Sequence, residues 1–109
     1  MAEIILSKSG KVPASSDIRA EYIPAVGEKL MLVDFLGHAA FSESSVVCLC
    51  WDEGGAAEEV IWNTKGDAKD ERLFLDLPVG DGVKKIELIL DNSTAGDIVL
   101  SGRVVLVSI

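Results

Sequence analysis

The stretch Lys84–Gly102, KKIELILDNSTAGDIVLSG, indicates the fold class of this chain. It consists of two apolar runs joined by NSTAG, a polar sequence rich in turn-forming residues. In the first run, Ile86, Leu88 and Leu90 alternate with mostly polar residues. Because successive side chains of a β-strand point to opposite faces, this alternation predicts a strand with one buried and one solvated face. The whole stretch predicts a β-hairpin.

Short apolar runs of the same kind recur along the chain at intervals of roughly 10 to 15 residues, separated by Gly, Pro, Asp and Asn. This pattern is typical of an antiparallel β-sandwich or barrel, and it predicts about eight strands. No segment has the length of the crossover helix that a parallel βαβ unit needs. At 109 residues, the chain is predicted to be one all-β domain over 18–109, preceded by an N-terminal strand or extended arm over 1–17.

The composition is both apolar and acidic. Lys and Arg number 10, Asp and Glu number 18, and the net charge is −8. This charge repels phosphate backbones and anionic lipid surfaces, so the sequence predicts neither nucleic-acid binding nor membrane binding. No apolar run approaches the roughly 18 residues of a membrane span, and the N-terminus lacks the basic start of a signal peptide. We therefore expect a protein made in a cytoplasm.

Several predicted strands are apolar on both faces. In the last run, Val105, Val107 and Ile109 share one face, and Val104 and Leu106 share the other. Such a strand is either a central strand with one face covered by a loop or arm, or a strand whose second face meets another subunit. The second interpretation makes Val105, Val107 and Ile109 candidate partner-binding residues.

The run Leu30–Leu36 is likewise apolar on both faces. If this strand is regular, Leu32 and Leu36 lie on one face, and Val33 and Phe35 lie on the other. The regular alternation therefore predicts that Leu36 and Phe35 point in opposite directions, with Leu36 on the same side as Leu32.

The sequence contains little reactive chemistry. His38 is the one histidine, and no pattern marks a nucleophile beside it. Cys48 and Cys50 lie two residues apart on a predicted strand, a separation that does not suit a disulfide, and they are interpreted as small buried hydrophobes. Zinc needs more His and Cys ligands than these residues supply. We predict no enzyme, no cofactor and no metal site.

The acidic residues concentrate in predicted turns. Asp91, Asn92 and Asp97 bracket one such turn, and their oxygens are of the kind that calcium binds. The spacing does not match an EF-hand loop. The simpler interpretation is that these are solvated turn residues.

Three segments, CWDEGG, EEVIWNTKGD and GDGVKKIELILDNSTAGDIVLSG, follow one another within residues 29–109. In these segments the chain resembles small β-sandwich virion accessory proteins of tailed bacteriophages, the class that includes head decoration proteins. The resemblance implies a jelly-roll-like sandwich and a homo-oligomer, with a trimer favoured. It also implies a place in the virion and a function in capsid decoration or stabilisation, by docking onto the major capsid protein or another virion protein.

On this hypothesis the N-terminal segment becomes an arm ordered on a neighbouring molecule. Ile4, Ile5 and Leu6 are then candidate partner-binding residues, because they can add an edge strand to a partner sheet. The alternative hypothesis is a carbohydrate-binding β-sandwich module for host-surface recognition, associated with a tail or fibre. Its candidate stacking residues are Trp62 and Tyr22.

Overall fold

The computed structural model describes residues 3–38, 45–65 and 69–109, and these segments form eight β-strands with no helix among them. All the strand ladders are antiparallel, so the predicted all-β class and strand number are confirmed. The strands are β1 (Glu3–Val12), β2 (Ser16–Tyr22), β3 (Leu30–His38), β4 (Ser45–Trp51), β5 (Glu59–Lys65), β6 (Lys69–Asp76), β7 (Ile86–Asn92) and β8 (Ile98–Ser108).

The strands form two four-stranded sheets. The first sheet has the order β1-β8-β3-β6, and the second has the order β2-β7-β4-β5. Ladders join β1 to β8, β2 to β7, β3 to β6 and β4 to β5, so each strand of the first half pairs with its mirror position in the second half. The chain is thus one long hairpin rolled into two sheets. This arrangement is a jelly roll, and the predicted fold class is confirmed.

The core lies between the inner faces of the two sheets. Ile86, Leu88 and Leu90 of β7 are fully buried, as their alternation predicts. They belong to one cluster with Val104 and Leu106 on the inner face of β8 in the opposite sheet. Each such side chain contributes about 1.5–3 kcal/mol when fully buried, so the inner faces of these central strands hold the sandwich together.

The prediction of a hairpin between β7 and β8 is wrong, because these strands belong to different sheets. The connecting turn carries the chain across the edge of the sandwich. Asn92, which is fully buried, organises this crossing. Its amide donates to the carbonyls of Val12 (3.0 Å) and Gly96 (2.8 Å), and its Oδ1 accepts from the backbone of Thr94 (2.9 Å). The polar sequence is therefore a turn, but one that connects sheets rather than paired strands.

The predicted alternation of β3 is also wrong beyond Leu32. The register of β3 against both neighbouring strands shifts between Leu32 and Asp34. A bulge of this kind reverses the direction of every later side chain. Phe35 is consequently fully buried in the core, whereas Leu36 points outward and is 39% exposed.

The N-terminal segment is part of the sandwich rather than a separate arm. Strand β1 pairs with β8 over its whole length, from Glu3 opposite Val107 to Val12 opposite Ile98. Leu6 lies in the core, and Ile4 packs against it. Since alternate side chains of β1 cover the edge of the core, residues 3–12 form the strand rather than the extended arm, of the two alternatives predicted for residues 1–17.

Candidate functional site: a groove on the second sheet

A groove of about 310 Å³ lies on the outer face of the second sheet. Its floor contains Val46, Cys48 and Ile89, side chains that point outward from β4 and β7 because those strands alternate. Its rim is charged, and it takes Arg19 from β2 and Glu53 from the turn after β4. The groove therefore combines an apolar floor with a charged rim.

Arg19 is the centre of the charged rim. Its Nε and Nη2 donate to the two carboxylate oxygens of Asp17 at 3.1 and 3.0 Å. Its Nη1 donates to Glu53 at 2.9 Å and to Glu87 at 3.0 Å. The hydrogen bonds to Asp17 above all, with those to Glu53 and Glu87, raise the pKa of Arg19 further above its ordinary value against the opposing effect of burial. Arg19 is thus a fixed cation that holds the rim in place and cannot act as a proton donor.

Glu87 explains why this arginine is needed. It lies on the outer face of central strand β7 and is 6% exposed. Burying an unpaired carboxylate is costly, and the hydrogen bond from Arg19 at 3.0 Å compensates for that cost. The ion pair thus ties Arg19 of β2 to the neighbouring strand β7.

The two cysteines form part of the groove as neutral thiols. Both are free; Cys48 is half-buried and Cys50 is buried. Burial, and then the neighbouring Cys50 and Asp91, raise the pKa of Cys48 to about 11. Burial also raises the pKa of Cys50. At neutral pH the groove therefore presents protonated sulfur, which behaves as a small hydrophobe, in line with the interpretation of these residues from the sequence.

A second, smaller cavity of about 180 Å³ adjoins the groove and shares Glu53 with it. Two ordered turns build its walls. In the turn before β7, Asp81 accepts the backbone N–H of Val83 (2.9 Å) and Lys84 (2.8 Å) and pairs with the Lys84 ammonium (2.6 Å). The Lys84 side chain in particular holds the pKa of Asp81 well below its ordinary value. These bonds hold the turn before β7, whose Val83 and Lys84 line the smaller cavity at the end of the groove.

The six predicted partner-binding residues are divided between surface and core. Ile5, Val105 and Val107 lie on the outer face of the first sheet, where Ile5 is in register with Val105, but Val105 is only 7% exposed. Ile109 follows β8 and is 56% exposed. Leu6 and Ile4 face the core instead, so they offer no docking surface. The structure also places Phe74 on this outer face, with 80% of its surface exposed.

The predicted stacking residues are not brought together. Tyr22 and Trp62 lie on β2 and β5, which are opposite edges of the second sheet, and both pack against the core. The Tyr22 hydroxyl donates to Glu28 at 2.8 Å, and this hydrogen bond raises the pKa of Tyr22. Trp51 is buried. These three aromatic rings therefore do not form the exposed platform that the carbohydrate-binding alternative needs.

Sequence reasoning missed the Arg19 cluster. Its members come from β2, β7 and the turn after β4, and no local pattern links Asp17, Glu53 and Glu87. The only local signal is the pair Asp17 and Arg19, which are two apart and therefore share a strand face.

A comparison with protein-family models gives no match, and a comparison with curated protein sequences gives none. In residues 3–38, 45–65 and 69–109, no helix is long and apolar enough to cross a membrane. The same segments contain no group of three or more His, Cys, Asp or Glu side chains placed to hold a metal ion.

Proposed function

We propose that this chain is a non-enzymatic structural virion protein of a tailed bacteriophage, a capsid decoration or stabilisation protein that binds the major capsid protein. The observation that carries the proposal is the strand order β1-β8-β3-β6 over β2-β7-β4-β5. This jelly-roll order recurs in viral capsid domains. Because one fold serves many functions, the proposal also needs a surface suited to a partner.

The groove on the second sheet is such a surface. Its apolar floor suits the stem of a partner side chain, and its acidic rim suits a cationic tip, such as that of Lys or Arg. Arg19 neutralises only part of the rim, since Asp91 and Glu58 also line the groove and form no ion pair with a described residue. A basic patch on the capsid protein is therefore the complementary partner. Many copies on a shell multiply such modest contacts through avidity.

The proposed protein is made in the bacterial cytoplasm and incorporated into the particle as a homo-oligomer. Mass spectrometry of phage particles purified on a caesium chloride gradient tests its location. We expect the chain to band with intact heads in many copies per particle. Its absence from banded particles, with the protein present in the unassembled fraction of the lysate, would overturn the virion proposal.

The groove is tested by adding purified protein to particles that lack it and measuring co-sedimentation. Asp91→Lys reverses a rim charge, so we expect this variant to stay in the supernatant. Glu59→Lys is the matched control, because Glu59 is exposed on β5 but does not line the groove. Equal binding of both variants would contradict the assignment of the groove as the capsid contact.

A further inference from the structure

Strand β6 is an open edge of the first sheet. The sheet has the order β1-β8-β3-β6, so β6 pairs with β3 on one side and with no described strand on the other. Directly after β6, the backbone N–H of Leu77 donates to the carbonyl of Leu30 at 3.0 Å, in the direction of β3. Because alternate residues of an antiparallel strand hydrogen-bond to the same neighbour, Arg72, Phe74 and Asp76 direct their backbone groups away from β3. These unpaired groups form an edge to which a further strand can add.

The other edges of the sandwich are less suited to strand addition. In the second sheet, the edge strand β5 has a bulge at Ile61, which has no partner in the ladder with β4, and bulges interrupt edge pairing. At the other side of the sandwich, the edge strands β1 and β2 pack against each other. Along β6 the side chains alternate without a break, with Asp70, Arg72, Phe74 and Asp76 exposed and Glu71, Leu73 and Leu75 half-buried. The described edge with a regular backbone and no such packing is therefore β6.

The outward side chains of β6 complement a second copy of the same strand. Arg72 and Asp76 are both exposed, and neither forms an ion pair with a described residue. They flank Phe74, which is 80% exposed. In an antiparallel pair of β6 strands centred on Phe74, each Arg72 lies opposite an Asp76, and the two Phe74 rings are neighbours. Opposite charges and aromatic pairs in directly opposed positions stabilise a sheet.

Neighbouring registers lose this complementarity. The centre of the pair must coincide with a residue, since only then do the outer faces of both copies lie on the same side of the joined sheet. A centre at Leu73 sets Asp70 opposite Asp76, and a centre at Arg72 sets two arginines opposite each other. Like charges in opposed positions destabilise a sheet, so the charges of β6 favour the register centred on Phe74.

We propose that two copies of this chain join edge to edge through β6, antiparallel and across a two-fold axis at Phe74. The axis is perpendicular to the sheet, so the first sheets of the two copies become one continuous sheet. On its inner side, Leu73 of each copy lies opposite Leu75 of the other, and the contact covers apolar side chains that are only half-buried in a single chain. This inference gives the homo-oligomer of the proposed function a defined contact and rests on that part of it. A two-fold contact closes at two copies, so the proposal is a dimer, whereas the sequence resemblance implies a trimer.

Sedimentation equilibrium of the purified full chain tests the charges of the contact. We expect a dimer whose dissociation constant rises at least tenfold in Asp76→Arg, because two arginines then face each other across the contact. Arg72→Asp weakens the dimer in the same way, and the double variant restores opposite charges and recovers the dimer. Glu59→Arg is the matched control, because it changes the charge equally on the exposed edge strand β5 and leaves the dimer intact. A double variant as weak as either single variant would overturn the proposed register.

Two substitutions of Phe74 separate the pairing of the strands from the contact of the rings. Phe74→Ala and Phe74→Pro both remove the ring, but only proline also removes the backbone N–H that points to the open edge. We expect Phe74→Ala to dimerise weakly and Phe74→Pro to be monomeric. In the original chain, we expect hydrogen exchange of the Phe74 amide to slow as the protein concentration rises and the dimer forms. An exchange rate independent of concentration, or equal dissociation constants for the two variants, would overturn the pairing of β6.

The oligomeric state of the original chain separates this contact from the virion function. A monomer at all concentrations, or a trimer, would overturn the dimer. A monomer that still bands with phage particles would refute the contact and retain the virion function, and a dimer absent from particles would do the reverse.

Discussion

Gly102 lies at a close approach between the two sheets, and replacing it with alanine tests the packing of the sandwich. It is the register partner of Gly37, so two glycines adjoin on the inner face of the first sheet. A Cβ added at Gly102 meets Val47 Cγ1 at 2.8 Å and the Cδ1 atoms of Leu88 and Leu90 at 3.3 Å. Ordinary carbon contacts are roughly 3.5–4.0 Å, so Val47 must move by more than half an ångström.

Val47 has little freedom to make this movement. It is fully buried in the core, and its branched Cβ restricts its side chain to few rotamers. Overpacking of this kind costs about 1–3 kcal/mol. We therefore expect Gly102→Ala to lower the free energy of unfolding by about 2 kcal/mol and the melting temperature by roughly 5–15 °C.

Urea unfolding followed by circular dichroism measures the effect. Gly96→Ala is the control, because a Cβ there meets no atom within 4 Å, and we expect its stability to stay within about 1 kcal/mol of the original chain. Val47→Ala removes the clashing methyl groups, so Gly102→Ala combined with Val47→Ala should lose at least about 1 kcal/mol less than the two single losses added together. A stability of Gly102→Ala equal to that of Gly96→Ala, or strict additivity in the double variant, would refute the close approach of the sheets.

Three further outcomes concern titratable groups. Because the pKa of Cys48 is raised to about 11, we expect its alkylation by iodoacetamide at pH 8 to be at least about tenfold slower in the folded chain than in guanidinium; equal rates would contradict its burial. The lowered pKa of Asp81 beside Lys84 stabilises the fold above about pH 4, and this contribution is lost as pH falls through the lowered value. Asp81→Asn should therefore weaken the decrease in the free energy of unfolding as the pH falls below about 4. The raised pKa of Tyr22 stabilises the fold below about pH 10, and this contribution is lost at higher pH. Tyr22→Phe should therefore weaken the fall in the free energy of unfolding as the pH rises above about 10. An unchanged fall would argue against the hydrogen bond from Tyr22 to Glu28.

Much of the fold follows from local patterns in the sequence. The alternation in β7 predicts its buried face correctly, since Ile86, Leu88 and Leu90 are all fully buried. The same holds for β6, where Phe74 points outward and Leu75 packs against the core. These assignments succeed because the side-chain period of a strand is a property of the backbone, and it does not depend on which strands lie beside it.

The candidate site could be predicted only in part. Placing Asp17 and Arg19 on one strand face needs no more than their spacing. The pairing of Arg19 with Glu53 and Glu87 depends on β2 lying beside β7 and on the path of the turn after β4. The segments that meet there are 34 and 68 residues apart in the chain, and no sequence window contains both.

The sequence by itself determined the strands, most of their inward faces and the all-β class, because these depend on alternation and turn residues within short segments. Only the tertiary structure decided which strands pair, where β3 bulges and which charges meet. The turn at Asn92 can join paired strands or cross between sheets, and it crosses because the inner faces of β7 and β8 pack against each other in the core. The bulge after Leu32 likewise turns Phe35 inward, where the two sheets can bury it. The free energy that selects these arrangements comes from burial between distant segments, which local patterns do not encode.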